Sequence, residues 1–171
     1  MPLTDVTVKF LEMTSPDELR PKRTSLPGVT VTRVPHPMPE LNRFFYEAVG
    51  ANYVWIDRLS WPLSRWREYL EQPNIDTYVL AVDGIPAGYF ELDRHENREI
   101  EIKYFGLLDA FIGKGLGAHM LTAAAEAAWA EGAKRVILDT CSLDHPKAFE
   151  NYVARGFKHC RTEVMKKEIP N

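Results

Sequence analysis

Residues Phe111 to Ala118 read Phe-Ile-Gly-Lys-Gly-Leu-Gly-Ala, with glycines alternating at 113, 115 and 117. The stretch follows an apolar, strand-like run, Ile100 to Leu108, and opens an alanine-rich helix. At such a turn the first N–H groups of the helix have no helical partner, and the helix dipole favours an anion there. Glycine admits conformations closed to residues with a Cβ and lets a ligand approach the main chain. Each glycine costs roughly 0.5–1 kcal/mol where the chain is helical, so this alternation argues against a mere glycine-rich helix start. The stretch reads as a pyrophosphate cradle.

Two further groups of residues carry possible chemistry. Alternation in Glu99-Ile100-Glu101-Ile102-Lys103-Tyr104 places Glu99, Glu101 and Lys103 on one strand face and Ile100, Ile102 and Tyr104 on the other. A solvated face with a cross-strand ion pair, worth about 0.2–1 kcal/mol, is one reading of it. Further on, His145-Pro146 opens a helix on which Ala148, Tyr152 and Arg155 share a stripe, and Gly156 ends it. By spacing alone Tyr152 reads first as an amphipathic anchor with its ring in the core. The second reading is a hydroxyl that reaches a cleft and protonates a leaving group.

The elements that must position these residues are legible in outline. Val6 to Met13 and Val29 to Val34 read as strands, and prolines 16, 21, 27, 35, 37 and 39 predict an irregular path between and after them. Leu41, Phe44, Phe45, Ala48 and Val49 form one apolar helical face closed by Gly50, and a second helix runs from Pro62 to Gln72. Thr77 to Val82 and Ile85 to Leu92 flank Asp83-Gly84, a hairpin dipeptide, and Arg98 to Leu108 completes a meander. Lys114 to Glu131 is a long helix, Lys134 to Thr140 a strand, Lys147 to Arg155 a helix and Phe157 to Met165 a closing strand. Strands followed by strand–helix–strand–helix–strand predict a mixed α/β (α+β) protein, an antiparallel sheet continuing into a parallel crossover.

At 171 residues the chain suits one domain, with N-terminal strands and a proline-rich connection over 1–39 and a core over 40–165. A net charge of −3 without a basic run speaks against nucleic acid as a partner. Neither a bilayer-length apolar segment nor a signal-peptide pattern is present, so no membrane partner is expected. Cys141 and Cys160 lack metal-type spacing and read as reduced thiols of a cytoplasmic protein. His36, His95, His119 and His159 show no ligand spacing either, and no metal is expected.

Gly113-x-Gly115-x-x-Ala118 also fits a dinucleotide fingerprint, but that fold places the turn in an early βαβ unit, and here antiparallel strands precede it. Taken together, the glycine turn and the His145–Phe157 stretch resemble the GNAT superfamily of acyl-CoA-dependent N-acyltransferases. Its cofactor motif, Arg/Gln-x-x-Gly-x-Gly/Ala, maps onto Ile112 to Gly117, with Ile112 departing from the first position. Its downstream pattern, Asn-x-x-Ala-x-x-x-Tyr-x-x-x-Gly-Phe, maps onto His145, Ala148, Tyr152, Gly156 and Phe157, with His145 replacing asparagine. The similarity covers most of residues 40 to 165.

The resemblance implies a central, mostly antiparallel mixed sheet of about six to seven strands flanked by about four helices. It implies transfer of an acetyl group from acetyl-CoA to a primary amine of a small molecule or peptide, by direct attack in a ternary complex. Main-chain groups of Phe105, Gly106, Leu107 and Leu108 would hold the pantetheine as a missing strand would be held. Gly113, Lys114, Gly115, Leu116, Gly117 and Ala118 would hold the diphosphate, with Ile112, His145 and Ala148 beside the pantetheine. Glu101 falls where many family members carry a glutamate that acts as base, directly or through water, with Glu91 on the neighbouring strand the next candidate, and Tyr152 falls where many carry the acid that protonates the departing thiolate. The connection between the first two helices would line the acceptor site, which points to Trp55, Asp57 and Arg58, with Glu91 nearby. A homodimer is a further implication of the family. A CoA-binding sensor or degenerate acyltransferase, and less so a dinucleotide-binding oxidoreductase module, are the alternative readings.

Overall fold

Runs with a two-residue apolar period form strands here, and runs with a 3.6-residue period form helices. The computed structural model describes residues 3–170. In chain order its elements are β1 (Leu3–Met13), β2 (Val29–Arg33), α1 (Pro39–Gly50), α2 (Leu63–Leu70), β3 (Ile75–Val82), β4 (Ile85–Arg94), β5 (Glu99–Leu107), α3 (Leu116–Ala130), β6 (Arg135–Cys141), α4 (Ala148–Ala154) and β7 (Lys158–Glu168). The strands form one seven-stranded sheet in the order β2-β3-β4-β5-β6-β1-β7. Every neighbouring pair is antiparallel except β5 with β6, which the α3 crossover makes parallel. The expected mixed α/β architecture, with four helices, is the one observed.

Asp83 and Gly84 turn the β3–β4 hairpin with φ of 50° and 79°, the double positive φ of a type I′ turn. On one sheet face, α3 lays Leu116, Met120, Leu121 and Ala124 against Phe90, Leu92, Ile100, Ile102 and Leu138. The small side chains Ala124, Ala125 and Ala128 are fully buried and let the helix sit close to the strands. On the other face, Phe45 and Val49 of α1 pack on Tyr89. A Cβ at Gly106 would stand 2.4 Å from Val49 Cγ1, so α1 approaches β5 as closely as it does only because that position has no side chain.

Two features depart from the expected pattern. The buried face of α1 is Asn42, Phe45, Tyr46 and Val49, whereas Phe44 is exposed. Counting apolar residues alone misplaces this face, because Asn42 and Tyr46 are buried with polar partners. Asn42 Nδ2 donates to Thr77 Oγ1 at 2.9 Å, and the Tyr46 hydroxyl accepts from the Arg58 N–H at 3.0 Å. The second feature is β1, which lies between β6 and β7 and so joins the two ends of the chain in one sheet. The proline-rich segment after β1 is irregular but tied down: Arg20 N–H donates to Arg155 O and Lys22 N–H to Thr122 Oγ1, both at 2.9 Å. No helix among the described residues is long and apolar enough to cross a membrane.

Candidate active site

The glycine turn is built as an open cradle. Gly113 and Gly115 take φ of 81° and 76°, a region that costs other residues about 1–2 kcal/mol. A Cβ at either position would meet no protein atom within 4 Å, so the space above the turn is free for a ligand. Gly115 caps α3 without a side-chain hydrogen bond, and the N–H groups from Gly113 to Ala118 donate no turn or loop hydrogen bond among the described residues. These are the unpaired donors at the positive end of a helix dipole that an oxyanion requires. Lys114 is exposed on the same turn, with its Nζ 5.6 Å from the centroid of the Phe111 ring. Leu116 is the exception, because its side chain is fully buried in the core.

Strand β5 departs from regular geometry where the cleft begins. Tyr89 pairs with Gly106 and Glu91 with Lys103, so Tyr104 and Phe105 together oppose Phe90 in a β-bulge, and Tyr104 has φ of 50°. The bulge corrects the simple alternation. Tyr104 leaves the face of Ile100 and Ile102 and packs instead on Tyr46 and Trp55, while Phe105 faces Phe90 and Tyr152. On its other edge β5 pairs with β6 only from Glu99↔Arg135 to Glu101↔Ile137, after which the strands splay. Main-chain groups of Phe105, Gly106 and Leu107 therefore border a gap rather than a neighbour. Leu108 does not share this freedom, since its N–H donates to Ala87 O at 2.8 Å.

One cleft of about 820 Å³ runs through this gap from the glycine turn to the opposite face of the sheet. Ile112, Gly113, Gly117 and Ala118 line its first end, and His145, Ala148, Asn151 and Tyr152 line its side. Asn151 was not singled out by any motif; it neighbours Gly117, 3.8 Å from where a Cβ would be. The Tyr152 ring meets Phe105 edge to face at 6.2 Å. Burial, and then the charges of Asp144 and Asp139, push its phenol well above the ordinary value, so it holds its proton at neutral pH. Asp144 ties the end of β6, accepting from Thr140 Oγ1 at 2.6 Å and from the Cys141 N–H at 2.9 Å. Burial and then Asp144 likewise raise the Cys141 thiol, which keeps it from being a ready nucleophile.

At the far end stand Glu101, Lys103, Asp139, Trp55 and Asp57, while Tyr53 lies against His145 with ring centroids 6.4 Å apart. Glu101 Oε1 lies 2.9 Å from His95 Nε2. Asp93, His95 and Glu101 bring ligand-type atoms within 4.8 Å of one another, a grouping that sequence spacing did not reveal. A cation there would compete with Lys103, whose ammonium already lies 2.8 Å from Asp93 Oδ2. Asp139, also missed by sequence reasoning, is exposed to solvent in the cleft. The protein packed around its carboxyl, then the charges of Glu101 and Asp144, push it up to about 6.

Arg58 and Glu91, expected beside the acceptor, stand behind the cleft wall instead. Arg58 Nη1 lies 3.2 Å from Glu91 Oε2, with Glu91 fully buried. The Tyr69 hydroxyl donates to Glu91 Oε1 at 2.5 Å. The guanidinium lies over Tyr104 at 4.0 Å and Tyr69 at 4.1 Å. Burial opposes the charge of Arg58 most strongly, but Glu91, Tyr104 and Tyr69 together outweigh it and raise the guanidinium above its ordinary value. The pair thus backs Tyr104, and through it the wall.

The profile described as the acetyltransferase (GNAT) family matches residues 38–157. No curated protein matches the chain in sequence. Among solved structures, a GCN5-related N-acetyltransferase from Kribbella flavida is 21% identical with a TM-score of 0.68, covering 95% of this chain and 58% of its own. One from Sphaerobacter thermophilus is 15% identical with a TM-score of 0.72, covering 99% and 52%. This chain therefore spans little more than half the length of either. An aminoglycoside acetyltransferase from an uncultured soil metagenomic sample, solved with sisomicin, is 15% identical with a TM-score of 0.60, covering 75% of this chain and 86% of its own. At these identities the structures share the fold, and the family match extends over most of the sequence: the chain belongs to the acetyltransferase (GNAT) family.

Proposed function

We propose that the chain transfers an acetyl group from acetyl-CoA to a primary amine by direct attack in a ternary complex. The observation that carries this reading is the continuity of one cleft from the glycine turn, through the β5/β6 gap, to Glu101 and Tyr152. The residues suit the cosubstrate: Gly113 and Gly115 leave room that a Cβ would take, and the amides of 113–118 suit its diphosphate. Main-chain groups of Phe105, Gly106 and Leu107 suit its pantetheine amides, with His145 and Ala148 alongside. Bound there, acetyl-CoA supplies an activated acyl carbon.

An alkyl ammonium has a pKa near 10.4, so only about one molecule in a thousand is nucleophilic at neutral pH. Glu101, directly or through a water, takes the proton that the ammonium must lose. The amine nitrogen bonds the acyl carbon and releases its surplus proton to solvent, the carbon–sulfur bond breaks, and the Tyr152 hydroxyl gives its proton to the thiolate before being reprotonated from solvent. A β5 amide beside the bulge stabilises charge on the carbonyl oxygen. Thiol release from acetyl-CoA, read with a thiol reagent across an amine panel, tests the reading; calorimetric binding of acetyl-CoA with no release for any amine would reduce the chain to a CoA-binding protein.

A further inference from the structure

The acceptor half of the cleft is charged at its rim and apolar at its floor. Register sets this arrangement: Phe10 pairs with Asp139, Val8 with Cys141 and Val6 with Met165, and residues opposed in antiparallel strands share a face. Three side chains of β1 and one of β7 thus form the floor, with Val6 and Val8 only 4% and 7% exposed. The aromatic rings of Tyr53 and Trp55 line the same cleft.

The rim charges are largely spent on one another. Lys103 lies 2.8 Å from Asp93, Lys167 3.4 Å from Asp57, and Glu101 2.9 Å from His95. Asp144 accepts from Thr140 and from the Cys141 main chain. Asp139 alone among the cleft carboxylates has neither a salt bridge nor a hydrogen bond among the described residues. Asp139 is exposed to the cleft; an unpaired carboxylate there attracts a cation, and a single such carboxylate attracts a single cation.

We propose that the acceptor is a monoamine on an apolar body, aromatic or branched aliphatic, whose ammonium is received by Asp139 while its body lies on Val8 and Phe10. The proposal rests on the acyl-transfer reading above and narrows it. The Arg161 guanidinium lies 3.9 Å over the Phe10 ring at one edge of this floor; elsewhere a polyhydroxylated amine would press its hydroxyls against apolar side chains that offer no hydrogen bond, so they would lose water without replacement. A diamine would bring a second ammonium to a rim whose other carboxylates are engaged. An alkyl or aryl body instead removes apolar surface from water on both sides of the contact.

The test compares phenethylamine, tryptamine and isoamylamine with glucosamine, kanamycin and putrescine, by thiol release from acetyl-CoA at pH 7.5. Phenethylamine is also titrated calorimetrically into the chain saturated with CoA. The expected result is a kcat/KM at least tenfold higher for the first set, with phenethylamine heat detected. Asp139→Asn raises the amine KM at least tenfold and leaves the acetyl-CoA KM within twofold, which also reports an intact fold. Val8→Asn, as a second variant, lowers the preference for the first set. Equal or better turnover of the polar set overturns the acceptor class while leaving acetyl transfer in place. Phenethylamine binding without thiol release supports the ligand class and removes the chemistry. Neither binding nor release with any amine overturns both.

Discussion

The ring of Tyr152 stands edge-on to that of Phe105 with centroids 6.2 Å apart, so α4 meets β5 directly across the gap that opens beyond Glu101. The contact fixes the phenol at the side of the cleft, and burial keeps it protonated. Tyr152→Phe retains the ring contact and removes only the proton. Steady-state kinetics are expected to show kcat lower by about 100-fold, the scale of general-acid contributions, with acetyl-CoA affinity within about twofold. Unchanged kcat would remove Tyr152 from the reaction.

Gly113→Ala separates cradle from fold. The new methyl group meets no protein atom, so the folding cost is the positive-φ strain of about 1–2 kcal/mol alone. In the cradle the same methyl group occupies space assigned to the diphosphate. Calorimetry is expected to show acetyl-CoA affinity reduced about tenfold or more, a loss of about 1.4 kcal/mol, while circular dichroism stays native.

Glu91→Leu leaves the Arg58 guanidinium buried without its carboxylate. Breaking such a pair from one side costs about 3–5 kcal/mol, or a melting temperature lower by roughly 10 °C in a chain of this size. Adding Arg58→Met to the same chain removes the stranded charge and is expected to restore most of the loss. A single variant that melts like the wild type would show that the pair does not brace the wall.

Asp139 sets a stability cost that depends on pH. Its carboxyl is pushed up to about 6 from an ordinary 3.8 by the protein around it and then by Glu101 and Asp144, with Lys103 and Arg161 working in the opposite direction. The folded chain therefore binds the proton more tightly than the unfolded chain, and stability falls as pH rises from about 4 to about 6 and stays reduced above. Asp139→Asn is expected to melt higher than wild type at pH 7.5, with the gain shrinking as pH falls through 6. A variant that melts lower at pH 7.5 would contradict the assignment.

What was legible in the residues follows from what is local. The Asp83-Gly84 hairpin, the α3 crossover and the glycine turn each depend on neighbours in sequence, and each stands where periodicity placed it. The position of β1 between β6 and β7 is a pairing across the length of the chain, which local alternation does not encode. The bulge at Tyr104 and Phe105 adds one residue to a run that still reads as regular, and so it misplaces Tyr104. Arg58 and Glu91 carry charges that suit an acceptor equally well on paper, and only their burial against Tyr69 and Asn42 shows that they serve the wall. Asp139 follows the apolar run Val136 to Leu138 of β6 and carries no spacing signal. Its meaning comes from β1 and β5 on either side of β6.

Amide hydrogen exchange with and without acetyl-CoA tests the central claim most directly. The account predicts slowed exchange in the peptides that carry Phe105 to Leu107 and Gly113 to Ala118, with β2 and β3 unchanged. Exchange in both segments that ignores saturating acetyl-CoA would contradict it.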